Sequence, residues 1–359
     1  MINREHIHKI IIRCPNPVGD LIMATPTLRA IRQGFPRAQI SLLLKAHLAG
    51  LIEGAPWFDE VIGYDPRGDH RGLKGYLGLM RELRHRRFDM GILLTNSFSS
   101  AWMLRLAGTR HRIGYNRDGR GLLLTHSLDH PAKRDSAFIS QAKDYLPMPM
   151  ADYYLWLCTA LGCRYTNRLV ELSVDEKSAE MAQRVLVEGG WDGKKSLVGI
   201  NPAAGFGTSK LWAAEDFAHV ADVLAERHNF HPLILTGPGE EGLAHEISER
   251  MRYRAINIGG ADVSLALLKA LISHCLIFIT TDSGPRHIAV AFDLPTVVLM
   301  GPTDPRYSDL GHAKTIVLRK ELDCSPCHLK TCPTDHRCMR DIKPDQVLEA
   351  TERLLERVL

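Results

Sequence analysis

The chain has 359 residues, of which 45% are hydrophobic and 24% charged, and its formal net charge is +4. This length predicts two globular domains, and the mild positive charge falls far short of a nucleic-acid-binding domain. No apolar stretch approaches the roughly 20 residues that span a bilayer, and residues 10–12 are too short for a signal-peptide core. We therefore expect a cytosolic protein, whose eight cysteines are thiols or metal ligands rather than disulfides.

The first half of the chain alternates apolar runs with helix-like segments. The pattern predicts strands at 9–13, 39–44, 60–64 and 90–94, and helices at 21–33 and 75–86. Such alternation is typical of a parallel sheet covered by helices on both faces. A helix-prone region at 150–161 leads to a polar break, and we place the domain boundary at residue 168.

The second half repeats the alternation. Strands are predicted at 196–201, 232–236, 276–281 and 296–300, and helices at 214–227, 241–252, 264–273 and 285–292. The tail, 343–359, reads as one amphipathic helix introduced by Pro344. The simplest architecture is two α/β domains, 1–168 and 169–342, with a cleft between them.

The turn after the strand at 276–281 has the chemistry of an anion site. Asp282, Ser283 and Gly284 follow the strand directly and lead into a helix whose first N–H groups lack intrahelical partners. Ser283 and Gly284 allow a phosphate to approach closely, and Arg286 and His287 add positive donors. The arrangement suits a pyrophosphate and indicates a nucleotide-sugar enzyme.

A second candidate phosphate loop follows the strand at 196–201. Thr208 and Ser209 precede Lys210, which we expect to act as a mobile counter-charge. The loop is not a Walker loop, and Gly205 and Gly207 lack the third glycine of a dinucleotide fingerprint. An ordinary loop remains the alternative for this segment taken alone.

The strand at 232–236 ends in a glycine-rich turn with acidic residues. Gly237 would allow the backbone to approach a nucleoside, and Glu240 or Glu241 would bind ribose hydroxyls. A plain strand-to-helix turn, with acidic residues favouring the helix start, explains the same residues.

Asp20 follows the first predicted strand and begins the first predicted helix. Because ligands of open α/β sheets bind outside the carboxyl ends of the strands, Asp20 is placed to act as a general base on a hydroxyl. The alternative is an N-cap without chemistry.

Two polar segments of the first half are candidates for binding an acidic acceptor. Arg117 and Arg120 flank a glycine in a predicted loop, and Asn96 and Ser97 lie upstream. A solvated loop accounts for the arginines nearly as well.

Four cysteines with the spacing C-x2-C-x4-C-x5-C form the sharpest spacing in the chain: Cys324, Cys327, Cys332 and Cys338. They could hold a structural zinc ion, form short-range disulfides or stay free. In each case the cluster would be structural, because four protein ligands leave no open position.

Together these residues resemble the ADP-heptose:lipopolysaccharide heptosyltransferases, glycosyltransferase family 9, with the heptosyltransferase II type nearest in pattern. The matching pieces follow one order along the chain: residues 17–20, 96–98 with 100–101, 205–207 with Lys210 and Trp212, 282–284 with His287, and 301–303.

The resemblance implies a GT-B fold of two Rossmann-like domains, an N-terminal acceptor domain and a C-terminal nucleotide-sugar domain, with helix 343–359 crossing back onto the first. It makes Asp20 the general base and places Lys210 and residues 282–287 on the donor pyrophosphate. The implied reaction is inverting and metal-independent. The chain lacks an Asp-x-Asp pair, so Lys210, Arg286, His287 and helix N–H groups would meet the leaving charge.

The implied donor is ADP-L-glycero-D-manno-heptose, and the implied acceptor is the lipopolysaccharide inner core, lipid A carrying Kdo. The enzyme would then work at the cytosolic face of the inner membrane in peripheral contact with it, with no catalytic cofactor and no nucleic-acid partner. Two alternatives remain, a GT-B glycosyltransferase with another nucleotide-sugar donor and a non-catalytic nucleotide-binding protein.

Overall fold

The computed structural model describes residues 4–132, 145–202, 205–259 and 263–357. The chain forms two compact units. The first comprises Met1–Val170 with Arg306–Leu310, and the second comprises Glu171–Pro305 with Gly311–Leu359. The main division therefore falls two residues after the boundary expected from the sequence.

The first unit is a parallel six-stranded sheet with helices on both faces. Its elements are β1 Lys9–Arg13, α1 Val18–Met23, α2 Thr25–Gly34, β2 Gln39–Lys45, α3 Ala49–Ile52, β3 Glu60–Tyr64, α4 Gly72–Arg86, β4 Met90–Leu93, α5 Phe98–Leu106, β5 His111–Tyr115, β6 His126–Leu128 and α6 Met150–Leu161. The strand order is β3-β2-β1-β4-β5-β6, that of a doubly wound dinucleotide-binding fold.

The inner strands β1, β2 and β4 are largely apolar on both faces because helices cover both faces there. Ile11, Leu43 and Leu93 pack with buried residues of α4 and α5, and Ile10 and Ile12 are also fully buried. Each βαβ connection therefore removes apolar surface from water on its own side of the sheet.

The predicted helix at 21–33 is two helices. Pro26 lies in the first turn of α2 and has no N–H to donate to the carbonyl of Ile22. The Thr25 hydroxyl donates to that carbonyl instead, at 2.8 Å. The break leaves α1 as a short helix directly after the turn that follows β1.

The second unit repeats the topology. Its elements are α7 Glu176–Glu188, β7 Leu197–Asn201, α8 Ala214–His228, β8 His231–Ile234, α9 Glu241–Arg250, β9 Ile256–Asn257, α10 Leu265–Ser273, β10 Cys275–Thr281, α11 Gly284–Ala291, β11 Thr296–Leu299, α12 Pro305–Ser308, β12 Thr315–Leu318, α13 Arg337–Arg340 and α14 Pro344–Leu355, with α12 passing into the segment that joins the first unit. The parallel strand order, β12-β11-β10-β7-β8-β9, reproduces the first unit's order counted from β7.

The C-terminal helix packs in the second unit. Val347, Leu348 and Leu354 of α14 are buried in the same core as residues of α8 and β11. Ahead of α14, the Trp212 indole donates to the carbonyl of Ile342 at 2.9 Å. The apolar face of the described part of the helix therefore lies in the second core, and packing of 343–359 on the N-terminal domain stays a prediction.

None of the described helices is long and apolar enough to cross a membrane.

Candidate active site

A buried ionic cluster lies at the carboxyl end of β10 in the second unit. Asp282 follows β10 directly, and its carboxylate accepts from three side chains. The donors are Lys210 at 2.7 Å, Arg286 at 2.8 Å and the Thr303 hydroxyl at 2.6 Å. All three charged members are at least nine-tenths buried. The structure thus brings together the two segments that the sequence proposed for phosphate binding.

The cluster has more positive than negative charge. Burial raises the pKa of Asp282, but the charges of Lys210 and Arg286 outweigh burial and hold that pKa well below its usual range. Asp282 is therefore ionised, and two cations around one carboxylate leave a net charge of +1. A cationic surplus beside the N-terminus of a helix suits an anionic group.

Lys210 is held by several contacts at once. Its ammonium group also donates to the carbonyl of Asp282 at 2.6 Å, and it lies 4.9 Å from the centre of the Phe206 ring. The 3-10 turn at Thr208–Lys210 places the lysine, and Thr208 itself is exposed. Movement of this charge on binding a phosphate, and contact of Thr208 with a donor, stay predictions.

His287 is buried and neutral, so it cannot supply the positive charge expected of it. Burial, with the charge of Arg286, lowers its pKa to about 3. Its Nδ1 has no hydrogen-bond partner among the described residues. Ser283 precedes α11 as its N-cap and accepts from the Asn201 amide at 2.9 Å, and Gly284 begins the helix.

The Lys210 loop is braced by the segment that carries the four cysteines. Ser209 is buried, its N–H donates to the carbonyl of Lys330 at 3.0 Å, and its hydroxyl donates to that of Leu329 at 2.5 Å. His336 donates to the Ser209 carbonyl at 2.7 Å. A Cβ at Gly207, where φ is +153°, would lie 2.3 Å from the Lys330 carbonyl oxygen. Ser209 therefore holds the loop in place through these bonds, and its contact with a donor stays a prediction.

The four cysteines are not gathered as a metal site. Among the described residues no three or more Cys, His, Asp or Glu side chains are grouped closely enough to hold an ion. Cys324 and Cys327 are exposed, Cys332 is half-buried and Cys338 is buried, and all eight cysteines of the chain are free. Burial, with the neighbouring Cys332, Cys327 and Cys324, raises the pKa of Cys338 to about 11, so its thiol stays protonated. This geometry gives no support to the structural zinc, whereas the bracing contacts give the segment a structural role.

The turn before α9 is closed by hydrogen bonds from its own glycines to its acidic side chains. The Glu240 carboxylate accepts from the N–H of Gly237 at 3.0 Å, and that of Glu241 accepts from Gly239 at 2.8 Å. These bonds match the plain alternative, and binding of a nucleoside by Gly237 and Glu240 stays a prediction.

The first unit contains a pocket of about 490 Å³ at the carboxyl ends of its strands. Asp20, Asn96 and Ser97 line it together with residues that the sequence did not single out, among them Arg13, Lys45, Tyr64, Tyr76, Met103 and Tyr154. Its volume is within the range of small-molecule sites.

Asp20 is not an N-cap. Helix α1 starts at Val18, so Pro17 is its N-cap and Asp20 lies inside the first turn. The carboxylate accepts from the Tyr154 hydroxyl at 3.2 Å. Burial raises the pKa of Asp20, and the Tyr154 hydrogen bond offsets part of this effect. A desolvated carboxylate with a raised pKa is more basic than a solvated one, as a general base requires.

Arg120 is buried behind the Asn96 turn and holds it in place, and its contact with an acceptor stays a prediction. Its side chain is fully buried, and it donates to the carbonyls of Tyr115, at 2.9 Å, and Thr95. The Asn96 side-chain oxygen accepts from Arg120 at 3.3 Å and from the Tyr153 hydroxyl at 2.9 Å. Burial lowers the pKa of Arg120 to about 10, so it remains charged.

Ser97 and Arg117 take different positions. Ser97 is exposed at the pocket rim and caps α5, accepting from the N–H of Ser100 at 3.3 Å. Arg117 does not line the pocket; its guanidinium lies 4.9 Å from the centre of the Tyr145 ring. A role for Ser97 at the pocket stays open, whereas Arg117 lies outside this lining.

The family model described as glycosyltransferase family 9 (heptosyltransferase) matches residues 76–337, well over half of the chain. The chain belongs to glycosyltransferase family 9. It is 27% identical to lipooligosaccharide heptosyltransferase 2 of Campylobacter jejuni over 352 residues, covering 96% of this chain and 99% of that protein.

Solved structures agree with this assignment. The Escherichia coli ADP-heptose LPS heptosyltransferase II superposes with a TM-score of 0.77 at 25% identity, over 98% of this chain and 99% of that one. A family 9 glycosyltransferase from Veillonella parvula has the same fold, with a TM-score of 0.85 at 23% identity over 99% of each chain. The predicted GT-B class with two Rossmann-like α/β domains is thereby confirmed, as is the prediction that the protein is a glycosyltransferase.

Several pocket residues of this family 9 enzyme could have been predicted from their positions at the ends of apolar strands. Arg13, Lys45 and Tyr64 are the last residues of β1, β2 and β3. A charged or hydroxylated residue that closes an apolar strand points to the ligand edge of the sheet. Tyr154 gave no such signal, because it lies within α6 and only the tertiary fold brings it to Asp20.

Proposed function

We propose that this family 9 enzyme transfers heptose from ADP-L-glycero-D-manno-heptose to the inner core of lipopolysaccharide, inverting the anomeric centre and using no metal ion. The relatives that support this proposal are named for lipooligosaccharide or lipopolysaccharide heptosyltransfer. The observation that carries the proposal is the position of Asp20. Its carboxylate is desolvated, lines the pocket of the first unit and does not cap a helix.

In the proposed reaction the first unit holds the acceptor. The Asp20 carboxylate takes the proton of an acceptor hydroxyl, and that oxygen attacks the anomeric carbon of heptose. The bond from this carbon to the β-phosphate oxygen breaks, and ADP leaves with the bonding pair. A single displacement of this kind inverts the configuration of the sugar.

The second unit would hold the nucleotide sugar. The net positive charge of Lys210, Asp282 and Arg286, with the N–H groups that begin α11, would stabilise the pyrophosphate as negative charge develops on it. Because these cations are fixed before the donor binds, they need no reorganisation during the reaction. They would do the work that a divalent ion does in other glycosyltransferases.

The acceptor would be lipid A carrying Kdo, so the enzyme would work in peripheral contact with the cytosolic face of the inner membrane. The described helices offer no membrane span for this purpose. Such contact must then come from the protein surface.

The test of the base is Asp20→Asn. We expect a loss of turnover on the order of 10²–10⁴-fold with ADP affinity unchanged, because only the proton acceptor is removed. Asp152→Asn is the matched control, since Asp152 forms a half-exposed ion pair with Arg168 in the same unit. Turnover within tenfold of the wild type in Asp20→Asn would refute the assignment.

Donor and metal dependence are tested by calorimetric titration with ADP, UDP, GDP and ADP-heptose, each with and without EDTA. We expect binding confined to the adenine ligands and insensitive to EDTA. Preference for a uridine or guanine nucleotide would indicate a different donor. In a transfer assay, activity that EDTA abolishes and magnesium restores would overturn metal independence.

A further inference from the structure

Large apolar side chains remain exposed on the two helices that cover one face of the first unit's sheet. Leu73 and Leu77 of α4 are 73% and 50% exposed, and Phe98 and Trp102 of α5 are 49% and 43% exposed. The Phe98 and Trp102 rings stack with centres 6.4 Å apart. Their spacing of four residues in each pair places them on one side of each helix.

Basic side chains share these exposed sides. The exposed basic residues on the two helices are Lys74, Arg81, Arg84 and Arg105. The one acidic residue of α4, Glu82, is already paired with Arg86 at 2.8 Å. We call this surface, formed by the four apolar and four basic side chains, the apolar–basic face.

The segment of sequence that contains these two helices is strongly basic. Residues 67–110 contain nine Lys and Arg against three Asp and Glu, a formal charge of +6, whereas the entire chain carries +4. The remainder of the protein is therefore net negative. A surface that combines this charge with exposed Leu, Phe and Trp side chains has the composition of an interfacial membrane-binding helix.

We propose that the apolar–basic face docks on an anionic lipid surface. The apolar side chains would enter the headgroup region while the arginines and the lysine stay among the lipid phosphates. Each basic residue close to an anionic leaflet raises the affinity roughly fivefold. Exposed apolar groups lie here beside basic side chains that form no ion pair with the described part of the chain, which distinguishes this face from an ordinary solvated helix surface.

The position of the apolar–basic face relative to the pocket supports docking on a lipid surface. Tyr76 of α4 and Ser99 and Met103 of α5 line the same pocket as Asp20. Docking through these helices would hold the pocket beside the membrane surface, where a lipid-anchored acceptor presents its sugar. This step rests on the proposed function for the identity of the acceptor; binding to lipid itself does not.

The test is flotation of the full-length protein with vesicles, without donor or acceptor. Vesicles of phosphatidylcholine are compared with vesicles that also contain phosphatidylglycerol, and we expect the protein to bind the anionic vesicles and to dissociate at high salt. The double variant Arg81→Gln, Arg84→Gln should bind about thirtyfold more weakly. The double variant Leu77→Ser, Trp102→Ser should lose at least about tenfold.

Matched controls lie on other surfaces. Trp156→Ser removes an equally exposed tryptophan from α6, which packs on α1 and α2, and Lys177→Gln with Arg184→Gln removes two exposed charges from α7. Both should bind vesicles as the wild type does. Equal losses in the controls, or no binding to anionic vesicles, would overturn the proposal. So would self-association in sedimentation that Leu77→Ser, Trp102→Ser abolishes, because the face would then bind a second copy.

Transfer assays separate failure of this inference from failure of the proposed function. With a delipidated, soluble acceptor the face variants should retain wild-type turnover, and with the acceptor embedded in anionic vesicles they should lose at least tenfold. Loss of turnover on both acceptors would refute a docking role. Lack of heptosyl transfer by the wild type would refute the proposed function while leaving vesicle binding to be judged by flotation.

Discussion

Replacement of Asp282 by asparagine tests whether the buried ionic cluster is a structural device as well as a binding site. The carboxylate is 9% exposed and neutralises one of two buried cations. Asparagine keeps its shape but removes the negative charge that both Lys210 and Arg286 contact. Removing one partner of a buried ion pair typically costs about 3–5 kcal/mol. For a unit of this size we expect the melting temperature to fall by about 10 °C.

The pH dependence gives an independent check on the same pair. The cations hold the folded-state pKa of Asp282 below its usual range, so its contribution to stability is present above the unfolded pKa and is lost as pH falls through the folded one. The wild type should therefore lose stability on acidification below about pH 4, where the unfolded carboxylate begins to bind protons. The difference between wild type and Asp282→Asn should be widest near pH 7 and should narrow below pH 4.

The assay is urea unfolding followed by far-ultraviolet circular dichroism. Asp293→Asn is the control, because Asp293 is 70% exposed and pairs with Lys314 at 2.5 Å, and such surface pairs contribute about 1 kcal/mol or less. Adding Lys210→Met to Asp282→Asn should restore part of the lost stability, since it removes one unpaired buried cation. If Asp282→Asn costs no more than Asp293→Asn, the reasoning about the cluster is wrong.

Two further variants test the first unit. Tyr154→Phe removes the hydrogen bond that offsets the effect of burial on Asp20. The pKa of Asp20 should therefore rise further, and the acid limb of the pH profile of kcat/KM should move to higher pH. Tyr153→Phe is the control and should leave that limb in place, because the Tyr153 hydroxyl bonds to Asn96. Arg120→Met leaves the carbonyls of Thr95 and Tyr115 unpaired, at about 1–3 kcal/mol each, and should raise KM for acceptor with KM for donor unchanged; equal changes in both would contradict a local positioning role.

The sequence predicted the central strands of both sheets because these strands are buried on both faces and read as short apolar runs. It missed β5, whose residues 111–115 include His111 and Arg112, and it missed the peripheral strand β12, in which every residue is half-buried. Arg112 fits in β5 because its guanidinium donates to the carbonyls of Thr109 and Leu123. Helix α5 was overlooked because it begins with polar residues that read as a loop. Tertiary contacts decide these elements.

The sequence indicated which residues lie at the candidate site better than it indicated the contacts that they make. Residues after strand ends were found because topology places them at the ligand edge of a sheet. Burial and pairing have no short-range signature, so the sequence did not reveal that Arg120, Ser209 and Lys210 are buried and hydrogen-bonded within the protein. The Asp20–Tyr154 contact joins residues 134 positions apart, and nothing in the pattern around Tyr154 announces it.

The two units share one strand order, and each has an aspartate near the end of a strand. The pKa values of these two aspartates are shifted in opposite directions. In the first unit burial dominates and raises the pKa of Asp20; in the second, two cations dominate and depress the pKa of Asp282. The environment of each carboxylate therefore suits a different role, the base proposed for Asp20 in the first unit and a counter-ion for Asp282 in the second. The consequence is measurable: the same Asp→Asn change should act oppositely on stability. Near neutral pH it should stabilise the fold at Asp20, where ionisation opposes burial, and destabilise it at Asp282, where ionisation neutralises the cluster.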